Sequence, residues 1–553
     1  MGLDKHLTTI EREDVFCRGP LLHTVQMSKI FDDSKTFVDM KMKYPPQKIL
    51  EKYEDFMNSI AKNPSKEQVR KFVADNFEES DQVFEEFQPR DWGINPSFLE
   101  NIVNEEYREF GCAMHKLWAE LGRKMTAKTE KDINSTSLVW VPNHLIVPGG
   151  RFREFYYWDT YWIIRGLLIS EMYETTRGML DNFLHIVERY GYVPNGGRIY
   201  YLGRSQPPTL IPSFKAYLDA EDTSNTDHSN YLKKNIHLLS KEFDFWITKR
   251  TTVVKLGDKE YTLAIYGNSS EGPRAESYAE DVESAAPLEG EEAKASFYSE
   301  IKAACESGMD FTSRWFVSNG TSKGSLRDTK TTSIIPVDLN AILYNNAVIL
   351  QEFYTRLSQF DKAAYYKEKA EEWLEAIDAV LWHEDVGVWL DYDLANGVRR
   401  NYFYASNLTP LWAGSYSKKN GGYVEKAIKY LHANDVLNYS GGVPQSLDNT
   451  GEQWDYPNAW PPSQHLLIFG LKRTGHPEAE KLAEALAKKW LTTNHEAFLK
   501  THHMAEKYHA SAIGQSGGGG EYDVQFGFGW TNGVVLDILV NYFSRPKPPK
   551  KTN

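Results

Sequence analysis

Two carboxyls in unusual surroundings are the first residues of this chain that could do chemistry. Asp310 lies in ESGMDFTSRWF, between Met309 and Phe311 and two residues after Gly308. A carboxyl with such neighbours is partly desolvated, which raises its pKa and keeps it protonated near neutrality. Asp310 is therefore a candidate general acid; the competing reading is an aspartate that caps a helix. Gly308 would let a ligand approach the backbone beside it. Nearer the C-terminus, MAEKYHASAIGQSGGGGEYD sets Glu506 and Glu521 on either side of four consecutive glycines, Gly517 to Gly520. Either acid could activate a water, and the glycines could approach a ligand, swing as a lid or serve as a plain linker. One protonated and one ionised carboxyl is the equipment for hydrolysing a glycosidic bond.

Other segments could hold a ligand for such a pair. PGGRFREFYYWD, Pro148 to Asp159, gathers two glycines, two arginines, two acids and five aromatics. Arg151 can donate to hydroxyls from a fixed fork, Phe152 and Trp158 can cover the apolar face of a sugar, and Asp159 can accept from hydroxyl pairs. Asn195, Arg204 and Gln206 precede a Pro-Pro pair, and Arg274 and Glu276 fall in a short polar loop. The structural alternative for each arginine is a salt bridge. His502, His503 and His509 match no standard metal-ligand spacing, so no metal and no cofactor is expected. The three cysteines, Cys17, Cys112 and Cys305, are too few and too scattered for a disulfide framework or a CxxC site.

Composition narrows the ligand class. With 63 Lys+Arg against 76 Asp+Glu the net charge is -13, which argues against nucleic acid or an anionic membrane as partner. The 15 Trp, 32 Tyr and 27 Phe exceed what a core needs in a chain whose mean hydropathy is -0.53; the competing reading is that they pack a large interior. Aromatic faces beside carboxylates suit a neutral polyol. No apolar run is long enough to span a bilayer, and the first residues, MGLDKHLTTIERED, lack the apolar stretch of a signal peptide. A soluble protein without a membrane anchor is expected. Sequons at Asn134, Asn268, Asn319, Asn407 and Asn438 leave a secreted origin open beside a cytoplasmic one.

Positioning these residues falls to helices. Helical periodicity recurs at Gln68 to Phe77, Phe98 to Leu121, Asp159 to Tyr173, Leu180 to Tyr190, Ser229 to Arg250, Leu339 to Arg356 and Ala363 to Leu381. It returns at Tyr423 to Ala433, Ser463 to Arg473, Ala479 to Trp490 and Thr531 to Tyr542. Strand-like alternation is confined to short pieces such as Thr251 to Ile265. Tight connections alternate with long ones rich in Gly, Pro, Asn and aromatics. No fixed repeat period supports an open solenoid, and no glycine-rich phosphate loop follows a strand. The pattern predicts a closed ring of helical hairpins with the long loops gathered at one end.

PGGRFREFYYWDTYW, Pro148 to Trp162, and QWDYPNAWPP, Gln453 to Pro462, resemble the two signature segments of trehalases, and GGGGEY at Gly517 to Tyr522 resembles the family's glycine-rich loop. The likeness runs from Gly19 to Val534. It implies an all-α (α/α)6 toroid, six helical hairpins with long active-site loops and minor β excursions. The expected organisation is an N-terminal extension over 1–18, one catalytic domain over 19–543 and a polar tail over 544–553. The implied reaction is hydrolysis of α,α-trehalose to two glucose molecules by an inverting displacement, with Asp310 as general acid, Glu506 as general base, and no partner beyond trehalose and water. Inversion requires the two carboxyls to stand about 6.5–9.5 Å apart. The resemblance assigns substrate contact to Arg151, Phe152, Tyr156, Trp158, Asp159, Asn195, Arg204, Gln206, Arg274, Glu276, Gly308, Trp454 and Glu521, in an enzyme expected to act as a monomer. Met309, His509 and Ala459 depart from residues frequent in the family. Rival readings are a trehalose phosphorylase, which needs a cationic phosphate pocket in place of a base, and an inactive sugar-binding protein, which has no reason to keep both acids.

Overall fold

The computed structural model describes residues 10–79, 83–220, 228–417 and 422–545. Twelve of its helices form the body: α1 Glu105–Leu121, α2 Asp159–Ile169, α3 Tyr173–Tyr190, α4 Leu210–Asp219, α5 His228–Lys249, α6 Val337–Arg356, α7 Phe360–Ala376, α8 Thr409–Ala413, α9 Tyr423–Ala433, α10 Pro461–Arg473, α11 Pro477–Thr501 and α12 Gly529–Tyr542. The even-numbered helices touch in sequence, α2 to α4, α6, α8, α10 and α12, and α12 returns to α2. The odd-numbered ones lie outside them, α1 on α12, α3 on α2 and α4, α5 on α6, α7 on α6 and α11 on α10. This is the expected toroid.

Burial separates the two rings. Every residue of α12 from Gly529 to Leu539 is buried, as is every residue of α8, because an inner helix meets protein on all sides. Outer helices bury one stripe; on α1 the buried positions are Phe110, Gly111, Met114, His115, Trp118 and Leu121. The sequence reading nonetheless finds the inner helices α2, α6, α10 and α12; it passes over the wholly buried α8 and over α4, LIPSFKAYLD, although α4 keeps Lys215 and Asp219 paired on an outer edge. The expected helix from Asp159 to Tyr173 breaks at Ser170–Met172, where Glu171 takes a left-handed φ of 62° and α3 begins. The expected helix from Phe98 to Leu121 is interrupted before Asn104, whose side chain caps α1 by accepting from the Tyr107 amide at 2.9 Å.

Strands are short. The longest pair, β1 Thr251–Leu256 and β2 Lys259–Ala264, is an antiparallel hairpin within the expected strand-like piece. Ahead of the ring, the helix Ile10–Phe16 buries Val15 and Phe16, and Arg12 donates to the Thr136 carbonyl at 2.5 Å. Of the polar tail expected over 544–553, residues from 546 onward lie outside the described residues. Among the described residues no helix is long and apolar enough to cross a membrane.

The ring closes where its first and last inner helices cross through glycine. A Cβ on Gly533 would stand 2.0 Å from the Trp162 carbonyl oxygen, and one on Gly166 would stand 2.8 Å from the Gly533 Cα and 2.5 Å from the Trp118 ring. Backbone contact at this seam leaves no room for a side chain. Gly533→Ala should therefore lower stability by about 1–3 kcal/mol, read as a lower urea midpoint. Gly518→Ala, at a loop glycine with nothing within 4 Å, should leave the midpoint in place. An unchanged midpoint for Gly533→Ala would show that the seam is not set by this contact.

Candidate active site

The segment Pro148 to Asp159 is pinned against the far end of the chain. The Gly529 amide donates to the Pro148 carbonyl at 2.6 Å and the Arg151 amide to Gln525 Oε1 at 2.8 Å. Such closeness needs both glycines: a Cβ on Gly149 would meet the Gly527 carbonyl oxygen at 2.5 Å, and one on Gly150 would meet Gln525 Oε1 at 2.2 Å. Beyond this anchor Phe152, Tyr156 and Trp158 enter one cavity, and Asp159 opens α2.

The acid-bearing loop is gripped by the second aromatic segment. Gln453 Nε2 donates to the Asp310 carbonyl at 2.7 Å and the Trp454 amide to the Phe311 carbonyl at 3.0 Å. Asp455 accepts from the Thr312 hydroxyl at 2.8 Å and from the Ser313 amide at 2.7 Å. On its other flank Arg314, fully buried, spans Asp338 and Asp391 with bonds of 2.8–3.0 Å. The backbone around Asp310 is thus held while its carboxyl faces the cavity. Asp310 is half-buried in the wall of that cavity. Burial pushes its carboxyl up to about 7, with Arg274 pulling against the rise and Glu521 adding to it. At Gly308 the φ is 72° and a Cβ would lie 2.6 Å from the Trp158 ring. The space opened by this glycine is taken by Trp158, so here the glycine serves packing as well as the cavity wall.

Glu506 is buried and differently dressed. Its amide donates to the Gln525 carbonyl at 2.9 Å, and its carbonyl accepts from Trp530 Nε1 at 3.0 Å. Oε1 accepts from the Tyr522 hydroxyl at 2.9 Å, Lys507 Nζ stands 3.6 Å from Oε2, and among the described residues nothing donates a hydrogen bond to Oε2. Burial raises its pKa above the usual glutamate value, while Lys507, Tyr522, the backbone and Arg151 oppose the rise. Asp159 is a third carboxyl in range. Burial raises it well above the ordinary value, and the charges of Glu506 and Asp310 add to the shift.

Each arginine of the cavity already holds an acid. Arg151 grips Asp33 through Nε at 2.9 Å and Nη2 at 2.8 Å and lies over the Tyr522 ring at 4.8 Å. Arg204 donates from Nε to Asn195 at 2.8 Å and from Nη2 to Glu276 at 2.5 Å. Arg274 pairs with Asp281 and reaches across to Glu521, with Nη2 at 2.6 Å from a carboxylate oxygen of each. Burial would raise the Glu276 pKa, but Arg204 and Arg274 outweigh it and hold that carboxyl below its usual value. The sequence reading weighed salt bridges against ligand contact as alternatives; the structure has these side chains in salt bridges and in the cavity wall at once. Gln206 accepts from the Trp158 amide at 3.1 Å, which ties that strip to the first segment.

Asp310, Glu506, Arg151, Phe152, Tyr156, Trp158, Asp159, Asn195, Arg204, Gln206, Arg274, Glu276, Gly308, Trp454 and Glu521 all line this one cavity. The sequence reading missed Tyr201, Ser277, Trp460, Tyr522, Phe528 and Trp530, which line it too. Trp460 stacks on Trp454 with ring centroids 3.8 Å apart and planes within 2°. Its place in the same aromatic segment was the available signal, as was the position of Tyr522 beside Glu521. Asp33, outside both segments, carried none. Among the described residues no group of His, Cys, Asp and Glu is arranged to hold a metal ion.

Comparison with known proteins bears on what this arrangement does. A family model described as trehalase matches residues 29–543. The trehalase of Apis mellifera is 49% identical over 532 residues, 96% of this chain and 84% of that one. The trehalase of Homo sapiens is 44% identical over 546 residues, 99% of this chain and 92% of that one. Among solved structures, the neutral trehalase of Saccharomyces cerevisiae aligns with a TM-score of 0.60 at 25% identity, covering 75% of this chain and 79% of that one. With the match running through the whole ring and every loop that builds the cavity, the chain belongs to the trehalase family.

Proposed function

We propose that Asp310 is the general acid and Glu506 the general base of the reaction this glycoside hydrolase performs, the hydrolysis of α,α-trehalose to two glucose molecules. The observation that carries the assignment is the opposed dressing of the two carboxyls. Asp310 is half-buried and, among the described residues, no cation hydrogen-bonds to its carboxyl, which favours the protonated form near neutrality. Glu506 has an ammonium beside one oxygen and a phenol bonded to the other, which favours the ionised form. Acid–base catalysis at a glycosidic bond needs this division of protonation states.

In the proposed displacement Asp310 gives its proton to the bridging oxygen as the bond from that oxygen to one anomeric carbon breaks. A water on the opposite face of the sugar loses a proton to Glu506 and its oxygen bonds to that carbon. Configuration inverts at this centre alone, so one β- and one α-glucose leave. Phe152, Trp158 and Trp454 supply apolar faces for the sugar rings. Arg151, Arg204 and Arg274, already neutralised by acids, offer their remaining N–H groups to hydroxyls without presenting net positive charge. A pocket of that kind suits an uncharged disaccharide better than the phosphate a phosphorylase must bind.

Asp310→Asn and Glu506→Gln should each lower kcat by about 10²–10⁴-fold with circular dichroism unchanged. NMR of the first turnovers should show the β-anomer appearing beside α-glucose; α-glucose alone would mean retention and remove the assignment. The pH profile of kcat/KM should be bell-shaped. Activity falls as pH rises through about 7, because Asp310 then loses the proton it must donate. On the acid side it falls as Glu506 takes up a proton, at a pH above the ordinary glutamate value of 4.5. A descending limb that persisted unchanged in Asp310→Asn would assign it to another group.

A further inference from the structure

Lys507 is fully buried, and a buried ammonium is costly unless it is paired. The catalytic assignment above uses it only as a charge beside Glu506. Its Nζ donates to Gln453 Oε1 at 2.7 Å and stands 3.6 Å from Glu506 Oε2, over the faces of Trp460 at 4.9 Å and Tyr522 at 5.5 Å. Gln453 uses its other end to donate to the Asp310 carbonyl at 2.7 Å and approaches the Tyr522 hydroxyl at 3.4 Å. Tyr522 in turn donates to Glu506 Oε1. One amide therefore joins the backbone of the acid loop to the cation beside the base.

We propose that Lys507, drawn between Gln453 and Glu506, is a positioning residue that keeps Glu506 ionised with Oε2 unbonded and free to accept a proton from water. The inference rests on the reading of Glu506 as base. The geometry separates the two oxygens: Tyr522 occupies Oε1, while the ammonium sits near Oε2 without closing a hydrogen bond on it. A direct contact of about 2.8 Å would occupy that oxygen and weaken it as a base. Gln453 supplies the competing acceptor that holds the ammonium off. The other charged or titratable groups facing Glu506 are Arg151, which favours its ionisation, and Asp159 and Tyr522. Asp310 interacts with the same ammonium. Burial lowers the Lys507 pKa from its usual value and the charge of Glu506 opposes that fall, so cation and carboxylate sustain each other.

Two substitutions test this with opposite signs. Lys507→Met removes the cation; the acid limb of the kcat/KM profile should move up by about one pH unit or more, with kcat reduced and KM little changed. Gln453→Met removes the competing acceptor, so the ammonium settles on Glu506 and the acid limb should move down. Generalised disorder of the site would not produce shifts of opposite sign. Should Lys507→Met fail to fold by circular dichroism, Gln453→Met alone decides: a limb that is unchanged or raised overturns the proposal. A Lys507→Met enzyme that folds with its acid limb unmoved does the same. Glu506→Ala assayed with sodium azide keeps the two readings apart. Azide attacks the anomeric carbon, the bond to the bridging oxygen breaks, and that oxygen takes the proton of Asp310, giving β-glucosyl azide. Absence of this product overturns Glu506 as base; its formation beside an unmoved acid limb in Lys507→Met overturns only the role of Lys507.

Discussion

The grip of residues 453–455 on residues 310–313 is the constraint on which the rest of the site depends. Three consecutive positions of one loop, Gln453, Trp454 and Asp455, bond to four consecutive positions of another. The two loops are far apart in the chain and meet only because α6 to α9 carry the second one round the ring. Arg314 closes the other side by bridging Asp338 at the start of α6 to Asp391. A carboxyl whose backbone is fixed on both flanks can be held in a desolvated place without collapsing onto a cation. This is the condition for a buried acid that stays protonated.

The same logic governs the charges of the cavity. Arg151, Arg204 and Arg274 would make a strongly cationic pocket if they stood alone. Asp33, Glu276, Asp281 and Glu521 neutralise them in place. What remains is a set of oriented N–H donors with little net field, suited to hydroxyls. Desolvated guanidinium–carboxylate pairs hold their geometry before a ligand arrives, which limits the ordering cost of binding. A second buried cluster lies behind the wall: Lys35 Nζ reaches Glu154 at 2.8 Å, and Tyr156 donates to the same carboxylate at 2.7 Å. The segment before the ring therefore contributes Asp33 and Lys35 to the support of the site, one behind Arg151 and the other behind Tyr156.

Aromatic side chains complete the enclosure in two distinct capacities. Trp158 stands edge-on to Trp162 and Trp530 and tilted against Trp454, with centroids 5.4–6.0 Å apart. Its ring is a cavity wall on one side and core on the other. The aromatic content of the chain thus serves packing and ligand contact with the same residues, because the inner ring of helices is also the floor of the site.

By itself the sequence determined the chemistry and most of the ring. Asp310 beside apolar neighbours, the glycine run between Glu506 and Glu521, and the aromatic segments at Pro148 and Gln453 were legible because local composition reports local environment. The amphipathic outer helices were legible for the same reason, since each keeps a solvent face. The inner helices α4 and α8 and the true boundary between α2 and α3 were not: α8 is buried throughout and shows no periodic contrast, α4 is short and carries Pro212 in its first turn, and no Gly or Pro marks the break at Ser170–Met172. Tertiary structure alone decided that Arg151 is held by Asp33, that Gly308 makes room for Trp158, that Trp460 stacks beneath Trp454, and that Gln453 links the acid loop to Lys507. Each is a contact between segments remote in the chain, and its partner is chosen by how the helices close into a ring, which no single stretch of residues encodes.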